Sequence, residues 1–191
     1  MELPSDAPLL IIDVQLGINR PENGRRNNPQ AEENIARLLA GWRKAGRPVY
    51  HVKHNSRRPD SPFYPGKPGN EIEEFARPLP GEPLIEKASN GAFIRTDLEQ
   101  RLRDEDITTL VIAGFVINHC VETTARMAGD LDFDTYVVSD ATAAHDRVGP
   151  DGKLYSAETI HAVALASIHQ EFVTVVDTEA ALTALETPVQ V

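Results

Sequence analysis

The chain has 191 residues, one cysteine and a formal net charge of −10, from 29 acidic and 19 basic side chains. This length suits one domain with a sizeable core, so we predict a single domain over residues 1–191. Nucleic acid is a poor partner for so acidic a chain, and the longest strongly apolar run, residues 9–12, is too short for the roughly 20-residue helix that spans a membrane.

The first part of the chain is predicted as strand, helix, strand, loop and strand. Residues 9–14 form a short apolar run typical of a strand covered on both faces. A helix cap at Asn28 then begins an amphipathic helix that Gly46 ends. Residues 48–53 and 82–87 are the next strands, and the proline-rich stretch between them is predicted as an ordered loop of the kind that often carries function.

The second part alternates strands and helices more regularly. A capping box at residues 96–99 predicts a short helix that ends near Asp104. Further strands are predicted over 109–114, 135–139 and 171–176, with helices beginning near 118–120, at Ser156 and at Thr178. This alternation predicts an α/β fold, a doubly wound and mostly parallel sheet of six strands with helices on both faces.

Three chemically reactive residues occupy equivalent places in this pattern. Asp13 ends the first strand, Lys87 ends the third, and Cys120 follows the fourth. In parallel α/β sheets, ligands bind beyond the carboxyl ends of the strands. We therefore expect these three side chains to share one cleft, although they are distant in sequence.

Their chemistry is complementary. A helix N-terminus and a nearby ammonium both favour the thiolate of Cys120, and Asp13 could take the thiol proton and pass it to a leaving amine. Backbone N–H groups of the turn 114–120 could stabilise an oxyanion. Each residue alone also fits a structural role, as a buried small apolar group, a helix-capping carboxylate or a solvated lysine, so only their shared edge favours catalysis.

Other sequence features indicate the cellular location and bear on cofactor binding. Cys120 cannot form an intramolecular disulfide, and the N-terminus lacks the basic segment and apolar core of a signal peptide, so we expect a cytoplasmic location. No Gly-x-Gly-x-x-Gly sequence follows the first strand, and no glycine-rich phosphate loop has the required spacing. No nucleotide or other cofactor is therefore predicted.

Four segments resemble the isochorismatase-like cysteine hydrolases, a superfamily that includes nicotinamidases, carbamoylsarcosine amidohydrolases and ureidoacrylate amidohydrolases. The matching segments, in the order of the family, are residues 9–13 with Gln15, 87–93, 114–125 and 138–141. The resemblance implies a Rossmann-like sheet of strand order 3-2-1-4-5-6 and a homo-oligomer, a dimer or a tetramer. A small molecule is the partner that it implies.

The resemblance also implies the catalytic groups. Asp13, Lys87 and Cys120 would form a triad, with a thioester-type intermediate that water hydrolyses. The peptide bond between Phe115 and Val116 would be cis, and the backbone amides of Val116 and Cys120 would form the oxyanion hole.

The chain departs from the nicotinamidase pattern after the second strand. Nicotinamidases carry an Asp-x-His element there that holds a metal with a further histidine, whereas this chain has His51 and His54, which a strand would point to opposite faces. No metal site is predicted. The presence of Cys120 favours C–N hydrolysis of an amide, carbamoyl or ureido group. The alternatives are vinyl ether hydrolysis, as in isochorismatases, and a catalytically silent module that binds a small anion or acts as an assembly subunit.

Several residues are candidates for the substrate pocket. His54, Arg57 and Arg58 follow the second strand and could contact a substrate carboxylate. Phe63 and Phe93 could form an apolar wall, and His119 could line the pocket beside the nucleophile. Solvated loops or subunit contacts are the alternative interpretation of these residues. Asn118 is expected to cap the helix that carries Cys120.

Overall fold

A six-stranded parallel sheet organises the computed structural model, which describes residues 3–186. The strands lie in the order β3-β2-β1-β4-β5-β8, and β6 and β7 form a separate antiparallel ribbon. Because β8 is the sixth strand of the main sheet along the chain, the predicted order 3-2-1-4-5-6 is confirmed. The strands are β1 (Leu9–Ile12), β2 (Val49–His54), β3 (Leu84–Lys87), β4 (Thr109–Phe115), β5 (Asp134–Ala143), β6 (Arg147–Val148), β7 (Leu154–Tyr155) and β8 (Thr174–Val176).

Helices cover both faces of the sheet, as predicted. Two of them, α1 and α5, pack on one face, while α2, α3 and α4 pack on the other. In residues 3–186 no helix combines the length and the apolar character needed to cross a bilayer. The helices are α1 (Ala31–Ala45), α2 (Leu98–Asp104), α3 (Glu122–Asp130), α4 (Ala157–Ile168) and α5 (Thr178–Glu186).

The apolar run of β1 supplies two separate cores. Leu9 and Ile11 pack in the core under α1 and α5, whereas Leu10 and Ile12 pack in the core under α2, α3 and α4. Successive side chains of a strand point to opposite faces, so a strand covered on both faces needs apolar residues at every position. This requirement explains why the central strands are continuous apolar runs without alternation.

Helix ends show where tertiary contacts override local signals. Ser156 caps α4 as predicted, since its Oγ accepts a hydrogen bond from the Thr159 N–H at 3.2 Å. Asn28 does not cap α1, which begins three residues later. Its backbone has φ +45°, and its side-chain amide donates to the carbonyl oxygens of Ser139 and Thr142 in β5.

Of the other two predicted caps, one forms in part and one does not form. Asp97, the residue that precedes α2, makes no capping hydrogen bond, but Thr96 Oγ1 accepts from the Leu98 N–H at 3.4 Å. The same hydroxyl donates to the carbonyl of Ala92 at 2.5 Å. Asn118 lies inside a single π-helical turn, Ile117–Val121, that leads into α3, and it caps nothing. At Asn28 and Asn118, a longer-range contact or an unusual turn replaces the local bond that the sequence pattern favours.

Candidate active site

Asp13 and Lys87 form a buried ion pair at the carboxyl edge of the sheet. The Lys87 Nζ donates to Asp13 Oδ2 at 2.6 Å, and the side chains are 0% and 3% exposed. The second carboxylate oxygen, Asp13 Oδ1, is buried and has no hydrogen-bond partner among the described residues. The unpaired oxygen can accept one more proton or hydrogen bond. Since a buried acceptor without a partner costs free energy, such a partner is favoured at this point.

The backbone holds Asp13 in an unusual conformation. Its φ is +50°, in the left-handed region, and its N–H donates to the carbonyl of Val52 in β2 at 2.9 Å. A non-glycine residue in this region costs about 1–3 kcal/mol and persists where surrounding structure enforces it, often at functional sites. Here the turn directs the carboxylate to the cavity just beyond β1.

Cys120 reaches the same edge through a tightly packed connection from β4. Gly114 has φ +123°, and a Cβ atom at that position would lie 2.1 Å from the carbonyl oxygen of Ile12, so only glycine fits. The peptide bond between Phe115 and Val116 is cis, as the family resemblance implied. The turn Ile117–Val121 then presents Cys120 near the beginning of α3.

The Cys120 thiol lies close to both charged partners. One donor atom each from Asp13, His54 and Cys120 all lie within 4.8 Å of one another, and Cys120 Sγ is 3.9 Å from Asn90 Oδ1. Burial raises the pKa of the Cys120 thiol above its ordinary value, and the Asp13 carboxylate raises it further, while Lys87 opposes both effects. Burial and Asp13 thus oppose the ionisation of Cys120 that the helix N-terminus and Lys87 were expected to favour.

Although Asp13, His54 and Cys120 are donor types that bind metals, their setting is unfavourable for a resident cation. The Lys87 ammonium is bonded to Asp13 and lies 3.4 Å from His54 Nδ1. A divalent ion at this point would meet that positive charge at short range. The donor set therefore fits proton transfer better than metal coordination.

Asp13, His54 and Cys120 open onto a cavity of about 400 Å³, a size that suits a small molecule, while Lys87 lies behind Asp13 and does not line it. Val116 lines it beside Cys120, which places both predicted oxyanion-hole residues at the cavity wall. Three of the predicted pocket residues, His54, Phe63 and His119, also line the cavity. These placements bring the predicted site together, while the catalytic roles remain predictions.

His54 and Phe63 form one wall. Their rings pack edge to face with centroids 6.0 Å apart, and burial together with the charge of Lys87 lowers the pKa of His54, so its imidazole is neutral. Gln15 holds this wall in place, because its side-chain amide donates to the His54 carbonyl at 3.1 Å and accepts from the His54 N–H at 2.8 Å. Asn70 adds bonds to the carbonyls of His54 and Phe63, both at 2.9 Å.

Two predicted pocket residues lie elsewhere, which corrects the sequence interpretation. Phe93 stacks on Phe133 at a centroid distance of 6.0 Å in the core under α2 and α3. Arg57 lines a separate groove with Arg95, on the other side of Lys87. Neighbouring residues of an extended loop point in different directions, so Arg58 reaches the cavity and Arg57 does not.

Sequence reasoning missed several cavity residues. Asn90 belongs to the segment 87–93 on which the resemblance rests, so its position was a usable signal. His145 and Arg147 follow the unexpectedly long β5, and no periodicity or motif marks them. Their place in the cavity depends on where β5 ends and on the ribbon β6–β7, neither of which the sequence pattern predicted.

Comparisons with known proteins agree with this geometry. The family model described as Isochorismatase domain matches residues 7–180. The isochorismatase family protein YrdC of Bacillus subtilis is 44% identical over 171 residues, which cover 90% of this chain and 91% of that relative. A crystal structure of an isochorismatase family protein from Chromobacterium violaceum has a TM-score of 0.95 and 38% identity, covering 97% of each chain.

More distant relatives carry names of specific hydrolases. Streptothricin hydrolase of Streptomyces noursei is 32% identical over 141 residues, 72% of this chain and 50% of that protein. Ureidoacrylate amidohydrolase RutB of Methylobacterium radiotolerans is 35% identical over 111 residues, 58% of this chain and 39% of that protein. The similarity thus extends to hydrolases of amide-type bonds.

Proposed function

Because the chain belongs to the isochorismatase family, with amide-type hydrolases among its relatives, we propose that it is a cysteine hydrolase of a small amide, carbamoyl or ureido compound. The observation that carries this proposal is the free oxygen of Asp13. Asp13 Oδ1 is buried and has no hydrogen-bond partner in residues 3–186, and an oxygen of the same carboxylate lies within 4.8 Å of the Cys120 sulfur at a cavity of substrate size.

The first half-reaction forms a thioester. Asp13 accepts the thiol proton as Cys120 Sγ attacks the carbonyl carbon, which avoids a free thiolate whose formation burial disfavours. The carbonyl oxygen becomes an oxyanion that the N–H groups of Val116 and Cys120 stabilise. The C–N bond then breaks, and Asp13 returns the proton to the leaving nitrogen, which departs as ammonia or an amine.

The second half-reaction restores the enzyme. Asp13 accepts a proton from water as the water oxygen attacks the thioester carbonyl. The C–S bond breaks, the thiolate takes that proton back, and the acid product leaves. Lys87 holds the Asp13 carboxylate in place during these transfers, because its ammonium is bonded to Oδ2 and compensates the buried negative charge.

A substrate screen with two cysteine variants tests the proposal. Small amides, carbamoyl amino acids and ureido acids are incubated with the protein, and ammonia release is measured. We expect Cys120→Ala and Cys120→Ser to lose at least about 10³-fold in rate, the loss expected when a nucleophile is removed. Mass spectrometry should trap an acyl adduct on the native protein, and Cys120 is the one cysteine of the chain.

The outcomes distinguish cysteine hydrolysis from vinyl ether hydrolysis and from a catalytically silent module. If both variants unfold at the same temperature as the native protein, their loss of rate comes from the missing thiol and not from a damaged fold. Full activity of Cys120→Ala on an amide or ureido substrate would contradict the proposal. Vinyl ether hydrolysis is indicated instead if the protein cleaves a vinyl ether, with Cys120→Ala active and Asp13→Asn inactive in that assay. An unreactive thiol together with no turnover across the screen would indicate a catalytically silent module.

A further inference from the structure

Two arginines lie at the mouth of the cavity that contains Cys120. Arg58 belongs to the loop after β2, and Arg147 begins the ribbon strand β6, so they come from distant parts of the chain. Among the described residues that line the cavity, Asp13 is the single carboxylate, and it is already bonded to Lys87. The cavity mouth therefore carries uncompensated positive charge in a protein whose net charge is −10.

Neither arginine has an acidic partner. Within residues 3–186, no carboxylate lies within the 4 Å ion-pair distance of Arg58 or Arg147. By contrast, Arg25, Arg26 and Arg43 all bind glutamates or aspartates. A guanidinium offers a planar fork of donors that matches a carboxylate, so two unpaired forks at one opening form a receptor for an anion.

The imidazoles beside Arg147 are neutral, so the positive charge at the mouth comes from the arginines. Arg147 Nη2 lies 3.4 Å from His119 Nε2, toward which it is directed as a donor. Burial and the charge of Arg147 lower the pKa of His119, and the same two causes lower the pKa of His145. His119 directly precedes Cys120, so this contact positions Arg147 relative to the nucleophile.

We propose that the substrate carries a carboxylate at the end remote from the scissile bond, and that Arg147, assisted by Arg58, binds it. This inference rests on the proposed hydrolase function, because it takes Cys120 as the point of attack. The carbonyl group lies at Cys120 and the carboxylate at the cavity mouth. The substrate class is thus an amide or ureido derivative of a small carboxylic acid, and Arg147 is a specificity-determining residue.

Matched pairs of substrates test the proposal. Succinamate and N-carbamoyl-β-alanine are each compared with their methyl esters, which keep the scissile group and lose the charge. We expect kcat/KM for the acids to fall about 10- to 100-fold in Arg147→Gln, and less in Arg58→Gln, with under 3-fold change for the esters. Arg147→Lys should recover part of the loss, because it keeps the charge but not the fork.

Arg77→Gln is the matched control, since Arg77 is exposed and does not line the cavity, so the change removes the same charge elsewhere. Arg77→Gln should leave kcat/KM unchanged for both the acid and the ester of each pair. Equal losses for acid and ester in Arg147→Gln, or a native preference for the esters, would overturn the inference.

A binding measurement separates this inference from the hydrolase proposal. Succinate is titrated calorimetrically into Cys120→Ala protein, with and without Arg147→Gln, so that no turnover is needed. We expect Arg147→Gln to weaken binding at least 10-fold. If no screened compound is hydrolysed but succinate binding depends on Arg147, the anion site stands and the hydrolase proposal fails. If succinate binding is absent or independent of Arg147, the anion site is wrong whatever the catalytic result.

Discussion

Two charged clusters lie at the two ends of strand β3, and their carboxylates differ in hydrogen bonding. Asp13, Lys87 and Cys120 meet at the carboxyl ends of the strands, whereas Glu82 lies just before β3 and binds Arg43 and His51. Both clusters pair a carboxylate with a cation. The difference lies in how many hydrogen bonds each carboxylate accepts.

Both carboxylate oxygens of Glu82 accept hydrogen bonds. They accept from Arg43 Nε at 2.7 Å, from His51 Nε2 at 2.8 Å and from the backbone N–H of Leu79 at 2.8 Å. Burial alone would raise its pKa, but these hydrogen bonds outweigh that effect and lower the pKa of Glu82 to about 2. Asp13, in contrast, leaves Oδ1 unpaired. A saturated carboxylate stabilises the fold, whereas one with a free oxygen can take part in chemistry.

The largest expected effect comes from Asp13→Asn. We expect turnover to fall about 10³-fold, because the variant cannot carry the proton between the thiol and the leaving group. The same change removes the negative charge that raises the thiol pKa, so alkylation of Cys120 by iodoacetamide at pH 7 should become faster. Ammonia release and mass-detected alkylation measure the two effects.

Asp130→Asn is the control for that experiment, since Asp130 is exposed at the end of α3. Asp130→Asn should change neither the rate of turnover nor the rate of Cys120 alkylation. Native turnover of Asp13→Asn would show that this carboxylate carries no proton in the reaction and would break the contrast between the two carboxylates.

An intermediate effect, on stability alone, is expected from Glu82→Gln. Loss of the charge that Arg43 and His51 bind should lower the free energy of unfolding by about 3 kcal/mol, as when one partner of a largely buried ion pair is removed. Urea unfolding measures this change, and kcat at a temperature well below unfolding should stay within about 2-fold of native. A large loss of kcat with unchanged stability would show that the Glu82 cluster also serves catalysis.

The smallest expected effect is a loss of folding stability at low pH. Since the pKa of Glu82 is lower in the folded chain than in the unfolded one, its stabilisation is complete above about pH 4.5 and is lost as pH falls toward 2. At pH 4 the loss is about 1 kcal/mol by this linkage. The stability difference between native protein and Glu82→Gln should therefore shrink by that amount between pH 7 and pH 4. An unchanged difference would mean that Glu82 does not titrate in this range.

Much of the fold was predictable because local patterns and tertiary packing agree there. The continuous apolar runs of β1 and β4 required cover on both faces, and this requirement alone indicates a parallel sheet with two helical layers. Strand boundaries were less predictable: β5 runs to Ala143, four residues past its predicted end, and the ribbon β6–β7 was missed. These features depend on pairing with neighbouring strands and not on the residues themselves.

The sequence by itself determined the fold class, the family resemblance and the position of Asp13, Lys87 and Cys120 at one edge, because a parallel sheet brings all strand ends together. Only the tertiary structure decided which loop side chains face the cavity, admitting Arg58 and Arg147 and excluding Arg57 and Phe93. It also decided that burial and the Asp13 carboxylate raise the pKa of the Cys120 thiol. Side-chain direction in loops and pKa values in buried sites depend on contacts between residues far apart in the chain, which no local pattern encodes.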